Sequence, residues 1–211
     1  CSMNLDSNSF IIKARFIDHI LNSFCSDNIC IGQEVMYGTN RLLADLVLVA
    51  DGKLYAFEIK AYNDDLRRIE NQLANYRKIF DFIYVITTEN HLANIRNIHQ
   101  KKVGIYVFNP DGTISEKRRA LEQKVFSKED ALNTIPALFL KKYFSLPSTL
   151  TADQVRGKLM NCKREIVKNS LHSYMKSIIS YKYENFIENK GEVVHFEDVS
   201  ILSLRNYSVL K

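Results

Sequence analysis

Apolar residues Phe10, Ile12, Phe16, Ile17, Ile20, Leu21 and Phe24 recur at three- and four-residue intervals near the start of the chain. That spacing predicts an amphipathic helix over 7–24, with Asp6, Ser7 or Ser9 available to cap its first amides. The period then shortens. Residues 29–36 read as a short strand, broken by Gly38 and Asn40, and 41–50 form a nearly continuous apolar run interrupted by Asp45. Asp51-Gly52 is a two-residue hairpin signal. Residues 53–61 alternate, with Leu54, Ala56 and Glu58 on one face and Tyr55, Phe57 and Ile59 on the other. Three consecutive strands are expected, the last two forming a hairpin.

A helix over 64–80 follows, with Leu66, Ile69, Leu73, Tyr76 and Phe80 as its apolar stripe and Asn63 or Asp64 as its cap. The β-branched and aromatic run 82–88 reads as a buried strand. Residues 91–100 read as a helix, and 103–109 as a strand stopped by the turn Pro110-Asp111-Gly112. This order implies an α/β sandwich around a mixed sheet. After residue 122 the texture becomes helical. Ser127 caps one helix with an acidic first turn, Pro147-Ser148 punctuates the chain, and 150–169 and 171–189 read as two helices ending at Gly191. Val193-Val194 is the one further strand candidate. The expected organisation is therefore an α/β domain over 1–125 and a helical C-terminal region over 126–211.

Composition narrows the class without naming a function. Of 211 residues, 46% are apolar and 25% charged, values of a chain that buries a core. No run approaches the roughly 18–20 apolar residues that cross a bilayer, and the N-terminus carries no signal-peptide pattern, so a cytoplasmic protein without membrane contact is expected. The four cysteines (Cys1, Cys25, Cys30 and Cys162) form no CxxC pair, and the histidines (His19, His91, His99, His172 and His195) lack ligand spacing. Neither zinc nor a structural disulfide is expected. The net charge of +5 is uneven: residues 1–125 hold 16 Lys/Arg against 15 Asp/Glu, and residues 126–211 hold 13 against 9. A basic second half suits a polyanion, yet it equally suits a solvated helical surface.

Two carboxylates stand out. Asp45 interrupts an apolar run, where an unpaired buried charge is costly, and Glu58 closes the next strand. Asp45 lies six residues before Asp51 and Glu58 six after Gly52, so a two-residue turn sets them opposite each other. Their Cβ atoms would then stand about 5 Å apart, where two carboxylates repel unless a proton or cation lies between them. A hard divalent cation such as Mg²⁺ or Mn²⁺ takes such oxygen ligands. Lys60, two residues after Glu58, shares its face and brings an ammonium beside the acids.

Asp45, a hairpin and then Glu58-Ile59-Lys60 resemble the Asp…(Asp/Glu)-X-Lys signature of the PD-(D/E)XK nuclease superfamily, and Glu34 matches the extra acid many members carry before the hairpin. Gln72 and Tyr76 resemble the Gln-X-X-X-Tyr element of its RecB-like branches. The likeness covers roughly residues 30–108 and is similar to a small bacterial and phage group; Ala44 stands where the name's proline would be. The resemblance implies a restriction-endonuclease-like mixed sheet flanked by helices, and metal-dependent hydrolysis of phosphodiester bonds, in DNA, as an endonuclease or exonuclease. It implies Mg²⁺ (Mn²⁺ as substitute) held by Asp45, Glu58, the Ile59 carbonyl and Glu34. Lys60 would position water, while Gln72 and Tyr76 would hold the active-site helix or touch substrate.

Plainer readings stand beside these. Asp45, Glu58 and Lys60 could form an internal ion pair at a strand end, Glu34 could be an exposed edge acid, and Gln72 and Tyr76 could be packing residues. Arg67, Arg68, Arg77 and Lys78 could grip phosphates, and Lys158, Lys163, Arg164, Lys168 and Lys176 could extend a nucleic-acid track or form a solvated face. The helical region offers a surface to DNA, a protein partner or a second copy in a homodimer. The alternative function is a nuclease fold that binds nucleic acid or protein without cutting.

Overall fold

The computed structural model describes residues 8–23, 28–98 and 100–205. The candidate caps Asp6 and Ser7, together with Phe24, Cys1, Cys25 and His99, lie outside them. Helix α1 (Ser9–Ser23) leads into β1 (Ile29–Tyr37), β2 (Leu42–Ala50) and β3 (Lys53–Lys60). Then come α2 (Ile69–Tyr76), β4 (Phe82–Thr88), α3 (Glu89–Asn97), β5 (Gly104–Phe108) and β6 (Ile114–Arg118). Helices α4 (Lys128–Thr134), α5 (Ala137–Tyr143), α6 (Ala152–Met160), α7 (Arg164–Asn189) and α8 (Phe196–Val199) follow, with a 3₁₀ turn at Ser200–Leu202. The fold is α/β, as the periodicity predicts. Its six strands lie in the order β1-β2-β3-β4-β5-β6. The β3–β4 and β4–β5 pairs are parallel and the others antiparallel.

The sheet has a core on each face. Leu54, Ala56, Val47, Val85 and Ile105 pack with α2 through α7 on one side. Leu46, Leu48, Phe57, Ile59 and Ile86 pack with Ile12, Phe16, Ile17 and Ile20 of α1 on the other. The alternation read from 53–61 therefore assigns both faces correctly. Residues 126–211 share the first core through Val167, Leu171, Met175 and Ile179 of α7. Among the described residues, no helix is long and apolar enough to cross a membrane.

Several boundaries differ from expectation. The helix expected over 64–80 is only Ile69–Tyr76, because Asp64 and Asp65 bond the amides of Ala61 and Arg67 and hold turns before it. The helices expected at 150–169 and 171–189 are Ala152–Met160 and Arg164–Asn189 instead. Ser170 does not interrupt the second, since its buried hydroxyl donates to the Val167 carbonyl (2.8 Å). Strand β6 escapes periodicity because Ile-Ser-Glu-Lys-Arg is a largely polar edge strand. Val193-Val194 forms no strand; the Val194 amide donates to Asp18 of α1.

A buried ionic cluster pins α7 to the sheet. Asp81, 2% exposed, sits 2.5 Å from the Lys168 ammonium and 3.1 Å from His172 Nε2, and accepts the Leu54 amide (2.9 Å). Burial pushes the Asp81 carboxyl up, but the close contacts of His172 and Lys168 and the Leu54 amide outweigh it and bring the value down to about 2. Asp81→Asn leaves the partly buried Lys168 beside a neutral group, and urea unfolding at neutral pH is expected to show a loss of about 2–3 kcal/mol. The folded value lies below the unfolded one of about 3.9, so this stabilisation is present above pH ~4 and disappears as pH falls toward about 2. The wild-type advantage over the Asn variant should shrink across that window; a constant difference would assign the stability to something other than the charge.

Candidate functional site

The Asp51-Gly52 turn runs through two left-handed residues (φ 48° and 71°), the conformation of a twisted two-residue hairpin. It sets the β2–β3 register through Leu46 opposite Phe57. One step further along that register, where the ladder ends, come Asp45 and Glu58. Asp45 Oδ2 accepts the Ile59 amide (2.9 Å), so its side chain satisfies a donor at the strand end.

Both oxygens of Glu58 are engaged. Its Oε1 lies 2.8 Å from the Lys60 ammonium, and its Oε2 accepts the Tyr76 hydroxyl (2.7 Å). Glu58 is 3% exposed, Lys60 8% and Tyr76 1%. Burial raises the Glu58 carboxyl above the usual range, and Asp45 adds to it. Burial likewise raises Asp45, against the Ile59 amide and the charges of Lys13 and Lys60. The Tyr76 hydroxyl is held well above its ordinary value by burial and by Glu58. The sheet end therefore holds two carboxylates that burial disfavours as anions.

They face an open polar cavity of about 400 Å³ that includes Ile59, Lys60 and Gln72 in its wall. The buried Gln72 Oε1 has no hydrogen-bond partner among the described residues. The structure thus brings Asp45, Glu58, Ile59, Lys60 and Gln72 to one cavity, with Tyr76 behind Glu58. Glu34 is not brought in. It adopts φ 52°, interrupting the strand alternation, and its carboxylate accepts the Ser203 hydroxyl (2.6 Å) with Arg205 3.6 Å away. Among the described residues, no group of three or more His, Cys, Asp or Glu side chains could hold a metal ion.

The cavity also holds residues that the sequence reading did not assign to it: Ser9, Lys13, Asp64 and Asp65. Lys13 is 8% exposed and approaches Gln33 Oε1 (3.4 Å), while Gln33 Nε2 donates to the Val199 carbonyl (2.7 Å). Its signal was a lysine on the apolar stripe of α1, in line with Phe16, Ile17 and Ile20. Asp64 looked like a helix cap and instead bonds the Ala61 amide. Of the expected phosphate-gripping residues, Arg68 reaches the cavity, whereas Arg67 pairs with Asp65 at the surface. Three members of the expected basic track are tied into the fold. Lys168 holds Asp81, Lys176 donates to Asn28, and Arg164 lies over the Phe126 ring.

The fold and this cavity define an α/β protein with a buried carboxylate–lysine site at the open end of a β-hairpin. The chain belongs to the family described as Bacteriophage P4 protein cII, whose model matches residues 3–203. No curated protein matches it. Among solved structures it is similar to the SPO1766 protein of unknown function from Silicibacter pomeroyi, at 13% identity and a TM-score of 0.42, covering 72% of this chain and 100% of that one. It is also similar to AF1548, titled a protein of unknown function, at 13% identity and a TM-score of 0.31, covering 80% of this chain and 98% of that one.

The raised carboxyls predict a trade between stability and site chemistry. Asp45→Asn removes one of two facing anions while keeping an acceptor for the Ile59 amide. In EDTA, calorimetric melting of this variant should rise by about 2–4 °C, the shift of roughly 1 kcal/mol in a chain of this size. A fall of several degrees would instead make Asp45 a structural ion-pair partner of Lys60 and Lys13.

Proposed function

We propose that the chain is a metal-dependent nuclease of the PD-(D/E)XK type, hydrolysing phosphodiester bonds in DNA. The observation that carries this reading is the placement of Asp45 and Glu58 at the wall of one open polar cavity, with the Lys60 ammonium 2.8 Å from Glu58. Three features fit a divalent cation: two carboxylates unfavourably charged by burial, Ile59 in the wall of the same cavity, and a Gln72 oxygen with no partner among the described residues. Carboxylate oxygens of this kind suit Mg²⁺, which keeps several waters and takes one or two carboxylates plus substrate phosphate. Asp45 and Glu58 would hold it with the Ile59 carbonyl; Glu34, already bonded to Ser203, would not. When bound, Mg²⁺ supplies a water of lowered pKa and positive charge against the phosphate.

The protein groups divide the remaining tasks. Ile59 and Tyr76 fix one oxygen each of Asp45 and Glu58, so the carboxylates are oriented before substrate arrives. Lys60 supplies an ammonium beside the attacking oxygen and stabilises charge accumulating on the phosphate. Lys13 and Arg68, on the same cavity, bring further cations for the flanking backbone phosphates. The DNA assignment rests on the resemblance of Asp45, Glu58-Ile59-Lys60 and Gln72/Tyr76 to that superfamily. A second reading, binding of nucleic acid without cleavage, draws on one observation: Lys60 and Tyr76 already occupy both Glu58 oxygens.

The test is cleavage of linear, circular, single-stranded and branched DNA and of RNA, with Mg²⁺, Mn²⁺ or EDTA. Cutting should require metal and prefer DNA. Lys60→Ala should lower it on the order of 10²–10³-fold with the fold retained and melting lowered only by the loss of the buried Glu58 partner. Cutting that survives the substitution unchanged would remove Lys60 from the chemistry. Absence of cutting together with absence of metal binding by calorimetry would leave the non-cutting reading.

A further inference from the structure

A second cavity, of about 300 Å³, opens between the β1–β2 turn and helices α4, α6 and α7. Arg41 and Arg156 line it, and no Asp or Glu is among its lining residues. Neither arginine forms a salt bridge to a described residue. Two guanidinium groups without counter-ions beside a half-enclosed cavity favour an anion, above all a phosphate that accepts several N–H donors at once.

The cavity is built rather than incidental. Arg41 holds φ 52°, a left-handed conformation uncommon for a residue with a side chain, and its amide donates to Gly38 (3.1 Å). The turn is clamped onto α4: the Gly38 amide donates to Thr134 Oγ1 (2.8 Å) and the Thr39 amide to Asp130 Oδ1 (3.0 Å). Arg156 is fixed by its Nε–H, which donates to the Leu132 carbonyl (3.1 Å). The rest of the lining is largely aromatic and aliphatic, including Tyr37 from β1 and Tyr174 from α7. A volume of about 300 Å³ lies at the small end of ligand sites, the size of one nucleotide and too small for a strand.

We propose that this cavity binds a nucleoside monophosphate, its phosphate on Arg41 and Arg156 and its base against the Tyr37 and Tyr174 wall. The assignment stands apart from the Asp45–Glu58 site and does not depend on the reaction proposed there. The experiment is titration calorimetry in EDTA with adenosine 5′-monophosphate, inorganic phosphate and adenosine as separate probes. The proteins are the wild type, Arg41→Gln, Arg156→Gln and Lys60→Ala, each checked for a cooperative melting transition. The monophosphate should bind wild type and Lys60→Ala equally, at one per chain, and more tightly than phosphate or adenosine alone. Each arginine substitution should weaken it about tenfold, the loss of one charge-assisted contact. Arg41→Gln keeps the test decisive if Arg156→Gln, which loses the Leu132 bond, fails to fold. No binding to wild type, binding indifferent to both arginines, or binding lost in Lys60→Ala would each overturn the proposal. Phosphate binding as tightly as the monophosphate would overturn the nucleotide assignment.

Discussion

The register of one hairpin governs this structure. With Asp51 and Gly52 both at positive φ, β2 and β3 pair in a single alignment. A slip of one residue would turn every side chain of a strand to the opposite face. Leu54 and Ala56 would leave the core built by α2–α7, Phe57 and Ile59 would leave the core built on α1, and Glu58 would part from Tyr76. Because apolar packing on both faces enforces the alignment, it also holds Asp45 and Glu58 at one end of the sheet, although neither charge favours that arrangement by itself.

The two ends of β3 treat buried carboxylates in opposite ways. Next to Leu54, Asp81 is surrounded by Lys168, His172 and a backbone amide, and its proton is held far more weakly than usual. Next to Lys60, Asp45 and Glu58 bind protons more tightly than usual, because burial disfavours both anions by more than Lys60, Lys13 and the hydrogen bonds offset. The first arrangement is electrostatically settled and serves to hold α7 on the sheet. The second is left short of positive charge, the condition in which a site gains most from a cation. Tyr76 links this second arrangement to the rest of the molecule: its hydroxyl reaches Glu58, and its ring lies 5.3 Å from that of Tyr37, which lines the arginine cavity.

Much of this was legible in the chain, and the exceptions have physical reasons. Turn chemistry and period-two alternation located β1, β2 and β3, the facing of Asp45 and Glu58, and the cavity face of Lys60. Strands β4 and β5 announced themselves as β-branched runs between helical patterns. Strand β6 did not, since an edge strand need not be apolar. Helix ends were misplaced where side chains satisfy backbone groups locally, as Asp64 does for Ala61 and Ser170 for Val167. Glu34 was named through the resemblance and not through any local pattern; at φ 52° its carboxylate accepts the Ser203 hydroxyl and it does not line the cavity. Lys13 and Asp81 depend on partners distant in sequence, Gln33 with Val199 and Lys168 with His172, which no local pattern reveals.

The same left-handed Glu34 has a bearing on how the sheet ends. Strand β1 is an edge, yet at Gln33 it is met by a parallel bridge to Ser203, and the Leu204 amide donates to the Gln33 carbonyl (3.0 Å). The next residue, Glu34, takes a left-handed conformation within the strand, so the row of outward peptide groups is not flat. The opposite edge, β6, is five residues long and carries Glu116, Lys117 and Arg118. A sheet bordered in these two ways gives an incoming strand little template on which to continue, and that protects six contiguous strands from edge-to-edge aggregation.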